Sequence, residues 1–200
     1  MTALDEIDFE KMVLKAQTNL NDAYKHYSLP TNALSHEFVE IKLQTCIFQY
    51  DVCVEMTTVL RNQPVGFALS VALKGLVLRL FEFDARLRTT LLPRLLALAA
   101  ARDIEIEESA IIDLKRRWKA ELKQLKGWHP VRNHAAGHYD QDVKKQVEAI
   151  ETVKFEEVMN VAAGFLQFQQ SLIVILRDAG QGVVSDERPF PDSEGPMPPE

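Results

Sequence analysis

The sequence predicts an all-α fold, an antiparallel bundle of about five or six helices with short connections. Apolar residues recur at intervals of three and four along most of the chain, which is the helical period. Helix-breaking residues are few, with eight glycines and nine prolines, and five of the prolines lie in the last twelve residues. We therefore expect one helical domain over residues 1–180 and a disordered, acidic, proline-rich tail over 181–200.

Each helix is predicted from its apolar stripe and from the residues at its ends. Pro30 closes the first helix, and Ser35 is a plausible N-cap of the second. Pro64 and Gly66 precede the third, and Pro93 starts or kinks its continuation. The short alternating stretch 103–108 is expected to be a loop. The predicted ranges are about 5–27, 35–62, 67–90 with its continuation, 109–126 and 153–178.

Charge and cysteine usage limit the classes of protein that fit. The formal net charge is -6, but most of it comes from the predicted tail, so the helical body is close to neutral. Cys46 and Cys53 are seven residues apart on one predicted helix, too far for a disulfide, and are expected to be reduced. The acidic N-terminus is unlike a secretory signal, and the apolar stretch 65–81 is too short and too charged to span a bilayer. We expect a cytoplasmic protein without a membrane partner.

Three of the five histidines lie between residues 129 and 140. Pro130 favours a helix start there, so that backbone N–H groups near Arg132 would form an anion site. A neutral imidazole can accept a proton from a ribose 2′-OH, and a guanidinium can hold the oxygens of a phosphate in the transition state. Arg132 and His138 are the candidates for these roles. Because six residues place them about 120° apart on one helix, a site shared across a two-fold dimer suits them better.

Basic residues precede this segment on the helix predicted over 109–126, where Asp113 and Glu121 are the opposing charges. Such a run is commonly a solvated face, but its position beside the histidines favours contact with a nucleic-acid backbone. The residues predicted to bind RNA are Lys115, Arg116, Lys119, Lys123 and Lys126.

The segment resembles the HEPN superfamily (higher eukaryotes and prokaryotes nucleotide-binding domains). Its motif is an Arg, often followed by Asn, and then a His after four to six intervening residues. Here Arg132 and Asn133 are followed by His138, and Tyr139 and Asp140 come next, as in HEPN-like proteins of abortive-infection systems. Members controlled by tyrosine adenylylation carry the Tyr two positions after the His, so that control is not expected here.

The resemblance implies a HEPN-like bundle that acts as a homodimeric, metal-independent ribonuclease, with no cofactor, in a defence or toxin system. Arg132 and His138 would be catalytic and Asn133 would support them. RNA would be the substrate and an antitoxin a further partner. From another class of function, the alternative is a non-catalytic HEPN-like module in which Arg132 and His138 organise an interface.

Simpler interpretations of the same residues remain open. Arg132 could pair with Asp140 or Asp142, and His138 could pack near a helix end. His134 and His138 share a helix face and, with His129 or Asp142, would form a zinc site, although the Glu of a zincin helix is absent between them.

Overall fold

The structure, a computed structural model, describes residues 8–29, 33–101, 108–136 and 141–184. The described residues are almost entirely helical and include no strand, as the predicted all-α class requires. Among the described helices, none combines the length and apolarity needed to cross a bilayer.

Helices α1 (Phe9–Tyr27) and α2 (Ala33–Asn62) pack against each other as an antiparallel pair. Asp8 caps α1, because its carboxylate accepts a hydrogen bond from the backbone N–H of Lys11 at 3.0 Å. The start of α2 differs from the prediction: Ser35 lies inside the helix rather than at its N-cap.

Helix α3 (Phe67–Arg86) continues through a π-turn (Leu87–Leu91) into α4 (Leu92–Ala100). The π-turn lies one turn before Pro93, whose ring has no N–H and would clash with a carbonyl of a regular α-helix. The wider turn accommodates the proline, so that α3 and α4 remain one continuous helical segment. Pro93 lies in the first turn of α4, in agreement with the prediction that it starts the continuation.

The prediction of one continuous helix over 109–126 is wrong. The segment consists of α5 (Glu108–Arg117) and α6 (Lys119–Gly127), separated at Trp118, whose backbone leaves helical geometry. The indole of Trp118 packs against the core, and this anchoring coincides with the break. The loop predicted over 103–108 lies almost wholly outside the described residues.

The chain continues through the three-residue α7 (His129–Val131), a second π-turn (Arg132–Ala136), α8 (Val143–Glu151) and α9 (Phe155–Val184). Helix α8 was not predicted. The described part therefore has more helical segments than the five or six expected. Helix α9 passes Gly180, so the predicted tail overlaps its end, and residues 185–200 lie outside the described residues.

The core forms where α2, α3 and α9 meet. The rings of Phe48 on α2 and Phe83 on α3 stack with centroids 3.7 Å apart. The fully buried Gln169 on α9 donates a hydrogen bond to the backbone carbonyl of Thr45 on α2. Helix α6 packs against α3 and α9 of this core, and α7 and the second π-turn pack against α3.

Candidate functional site

Arg132 and Asn133 begin the second π-turn, directly after α7. Pro130 lies in α7, as the predicted helix start requires. The side chains of Val131 and Ala135 are buried in the core on either side of them. These two anchors fix the turn and leave Arg132 and Asn133 on the outside, where both are exposed.

The guanidinium of Arg132 has two contacts at the surface. It donates to Oδ1 of Asn133 at 3.3 Å, and it lies 3.5 Å from Oε1 of Glu82 on α3. The Arg132 side chain is 47% exposed and that of Glu82 60%, so the pair is solvated and contributes at most about 1 kcal/mol. Among the described residues the ion-pair partner of Arg132 is Glu82 and not Asp142, whereas Asp140 lies outside them. A phosphate could therefore replace Glu82 at little cost.

Asn133 connects Arg132 to His129. Its amide Nδ2 lies 3.0 Å from Nδ1 of His129, and an amide nitrogen can only donate. In this contact Nδ1 of His129 is the acceptor. The His129 ring also contacts the edge of Phe81 on α3, with centroids 6.3 Å apart. From the sequence His129 is predicted only as a candidate zinc ligand, although its spacing of four from Asn133 is typical of a side-chain contact on a helix.

His138 lies outside the described residues, together with Gly137, Tyr139 and Asp140. Its predicted pairing with Arg132 and its place in a two-fold site therefore stay predictions. The neighbouring Asp142 caps α8, where its carboxylate accepts from the backbone N–H groups of Lys144 and Lys145.

The described residues contain no group of three His, Cys, Asp or Glu side chains that could hold a metal ion. The zinc alternative involves His138 and so is not decided by these residues.

The predicted RNA-binding residues are all exposed, but they lie on two helices. On α6, Lys119, Lys123 and Lys126 lie within about 60° of one another around the helix axis, opposite the buried Leu125. We call these three residues the lysine face. Within the part of the chain that the structure describes, none of them forms an ion pair.

On α5, Arg116 pairs with Asp113 at 3.1 Å, and Lys115 is exposed. These two residues lie beyond the break at Trp118. Along the chain the lysine face is nearer to the candidate site, because α6 is followed directly by the buried Trp128 and then by α7. Three of the five predicted residues thus lie on the helix that leads into α7 and Arg132, and the other two lie on α5.

A groove of about 600 Å³ lies between α2 and α3, and Glu82 is part of its wall. Inside it, Arg79 forms ion pairs with Asp51 at 3.1 Å and with Glu55. Burial raises the pKa of Glu55, and the Arg79 charge partly offsets this effect. Gly75 leaves room for the Glu55 carboxylate to lie against α3. Since Arg79 is paired with two carboxylates, we assign it no role in holding a phosphate.

No family model, no curated protein and no solved structure matches this chain.

Proposed function

We propose that the chain is a metal-independent endoribonuclease of a defence or toxin system that acts as a homodimer. The observation that carries this proposal is the half-exposed guanidinium of Arg132, which is held only by a weak surface ion pair and follows the lysine face closely in the chain. The Arg132-Asn133 pair that is followed by His138, and so resembles the HEPN motif, supports the proposal as well. An RNA substrate would lay its backbone along Lys119, Lys123 and Lys126 and present one phosphate to Arg132.

The energies favour exchange of Glu82 for a phosphate. An exposed ion pair stabilises a protein by about 0–1 kcal/mol. A forked guanidinium–phosphate contact forms two charge-assisted hydrogen bonds, and bonds to charged groups contribute about 1.5–3 kcal/mol each. Asn133 orients the guanidinium through its Oδ1, and His129 in turn fixes the Asn133 amide. Arg132 is therefore preorganised, as a residue that stabilises transition-state charge needs to be.

In this proposal His138 supplies the proton transfer. Its imidazole would accept the proton of the ribose 2′-OH, which then attacks the adjacent phosphorus and expels the 5′-oxygen of the next nucleotide. Arg132 would stabilise the negative charge that builds on the non-bridging oxygens. The products would carry a 2′,3′-cyclic phosphate and a 5′-hydroxyl, and no metal would be needed.

The second candidate function is a non-catalytic helical module that binds a regulatory partner, such as an antitoxin. It is favoured by the hydrogen-bonded series from Glu82 through Arg132 and Asn133 to His129, which satisfies these side chains within the chain itself. In that case Arg132 would fasten the π-turn to α3, and its loss would alter assembly rather than chemistry.

The deciding experiment measures cleavage of single-stranded RNA in EDTA by the parent chain, Arg132→Ala and His138→Ala. We expect cyclic-phosphate products from the parent and a loss of roughly 100-fold or more in each variant, with unchanged circular dichroism and dimer mass. Arg61→Ala is the matched control, because Arg61 pairs with Glu10 at the surface of the α1–α2 pair. Cleavage that stops in EDTA, or survives in Arg132→Ala, contradicts the proposal. Altered dimer mass without any cleavage supports the module.

A further inference from the structure

A second groove, of about 400 Å³, lies between α5 and the C-terminal half of α9. Its apolar surface comes from Leu114, Val174 and Ile175, and Arg117 and Asp113 line it as well. The carboxylate of Asp113 is paired with Arg116 at 3.1 Å. Within the described residues Arg117 has no ion pair. The groove thus combines apolar side chains with one arginine that has no ion pair among the described residues, and its carboxylate is already paired outside it.

The groove lies on the path from the end of α9 to the lysine face. Helix α9 is antiparallel to α5 and α6: Glu157 near its start accepts from Gln124 on α6, whereas its later residues line the groove beside α5. A chain leaving Val184 and turning back along α9 therefore meets the groove first. It meets the lysine face of α6 afterwards.

The following residues have the length and chemistry for that path. Nine helical residues separate Ile175 from Val184, about 14 Å. Six extended residues, from Val184 to Phe190, span up to about 20 Å. Pro189 and Pro191 flank Phe190 and favour an extended backbone around it. Phe190 can therefore reach the groove.

The charges along this path are complementary. Residues 185–200 contain five acidic residues and one arginine. After Phe190, the nine residues 192–200 extend about 28 Å as polyproline II, and Lys126 is only about 18 Å beyond Leu114 along the helices. Asp192 and Glu194 would follow Phe190 towards Arg117 and the lysine face.

We propose that residues 185–200 fold back on their own chain, with Phe190 in the α5–α9 groove and the acidic residues over the lysine face. Insofar as the proposed function is correct, this segment competes with RNA for Lys119, Lys123 and Lys126 and so inhibits the nuclease. Release of the segment by an activating partner would expose the basic surface.

The test uses the full chain with a spin label attached through Ser193→Cys. Burial raises the pKa of Cys46 to about 11 and that of Cys53 to about 12, and both are free and buried, so the new thiol reacts selectively. Amide NMR signals of α6 are expected to lose most of their intensity, whereas those of α1 do not. Adding Phe190→Ala, or raising the salt, should restore the α6 signals. Met197→Ala is the matched control and should leave them broadened.

Three outcomes overturn the proposal: α6 signals of full intensity, equal broadening of α1 and α6, or no effect of Phe190→Ala. Broadening that appears only when labelled and isotope-enriched copies are mixed shows docking on a second copy, and overturns it as well. RNA binding is measured separately. If the docked form holds about nine molecules in ten, Phe190→Ala strengthens RNA binding about ten-fold. Broadening without any RNA binding retains the docking and rejects the proposed function.

Discussion

Arg132 forms a surface ion pair with Glu82, a residue fifty positions earlier in the chain. Both side chains are solvated and 3.5 Å apart, so the contact orients the guanidinium without fully neutralising it. In the proposed enzyme, Glu82 acts as a weak internal competitor of the substrate phosphate. Its removal should therefore affect binding in the direction opposite to removal of Arg132.

We predict that Glu82→Gln strengthens RNA binding by about two- to five-fold, the equivalent of up to about 1 kcal/mol. The amide keeps the shape of the side chain and removes the charge that opposes the phosphate. Fluorescence anisotropy with a labelled, non-cleavable RNA measures the effect. Glu148→Gln is the matched control, because Glu148 forms an exposed pair with Lys144 on α8. Weaker binding by Glu82→Gln would show instead that Glu82 holds Arg132 in its binding position.

The sequence could predict some of these residue contacts and not others. Arg132 and Asn133 are found from their neighbours in the chain, and the spacing of His129 and Asn133 is visible on a helix. Glu82 could not be found, because its contact depends on how α3 packs against the π-turn. A single sequence carries no direct signal for such long-range pairs.

At the scale of helices, close packing of α6 on α9 depends on Gly164. A Cβ at that position would lie 2.7 Å from Cγ of Glu121 on α6. The contact is with the inner part of the side chain, which cannot move away without a change of rotamer or a shift of the helix. A methyl group added at Gly164 would therefore shift α6, and with it the lysine face.

We predict that Gly164→Ala lowers the free energy of unfolding by about 1–3 kcal/mol, as overpacking of a tight interface does. Gly75→Ala is the matched control. Its new methyl group meets the carboxylate end of the Glu55 side chain, which can move away from it at the cost of the ion pair with Arg79, and alanine favours a helix by up to about 1 kcal/mol, so a smaller change is expected. Urea unfolding measures both. Glu121→Ala should remove most of the cost of Gly164→Ala; full additivity of the two substitutions would refute this account.

Helix periodicity and proline placement were sufficient to predict the long elements α1, α2, α3 with its continuation, and α9. These two signals failed where tertiary packing determines where a helix ends. The break at Trp118 coincides with a large side chain packed against the core, and no glycine or proline marks it. Helix α8 is only nine residues long, so its pattern is short, although Asp142 is a usable N-cap signal.

At the scale of the whole molecule, charge is distributed unevenly although the helical body is nearly neutral. Three unpaired lysines lie on one face of α6, whereas acidic residues predominate in the final segment of the sequence. Attraction of a polyanion depends on the local cluster, and the release of its counterions makes binding dependent on salt. The lysine face can therefore be tested independently of catalysis.

We predict that replacing Lys119, Lys123 and Lys126 by Gln lowers the salt dependence of binding to single-stranded RNA. Each phosphate contact contributes about 0.7 to the slope of log K against log salt concentration, so the slope should fall by about 2. Replacing Lys11, Lys15 and Lys25 on α1 by Gln is the matched control, because it changes the net charge equally on a helix that packs against α2. Equal effects of the two triple variants would show that net charge, and not the lysine face, governs binding. A reduced slope in the α6 variant alone would place the RNA backbone on α6, since counterion release counts only the phosphates that lie against the substituted residues.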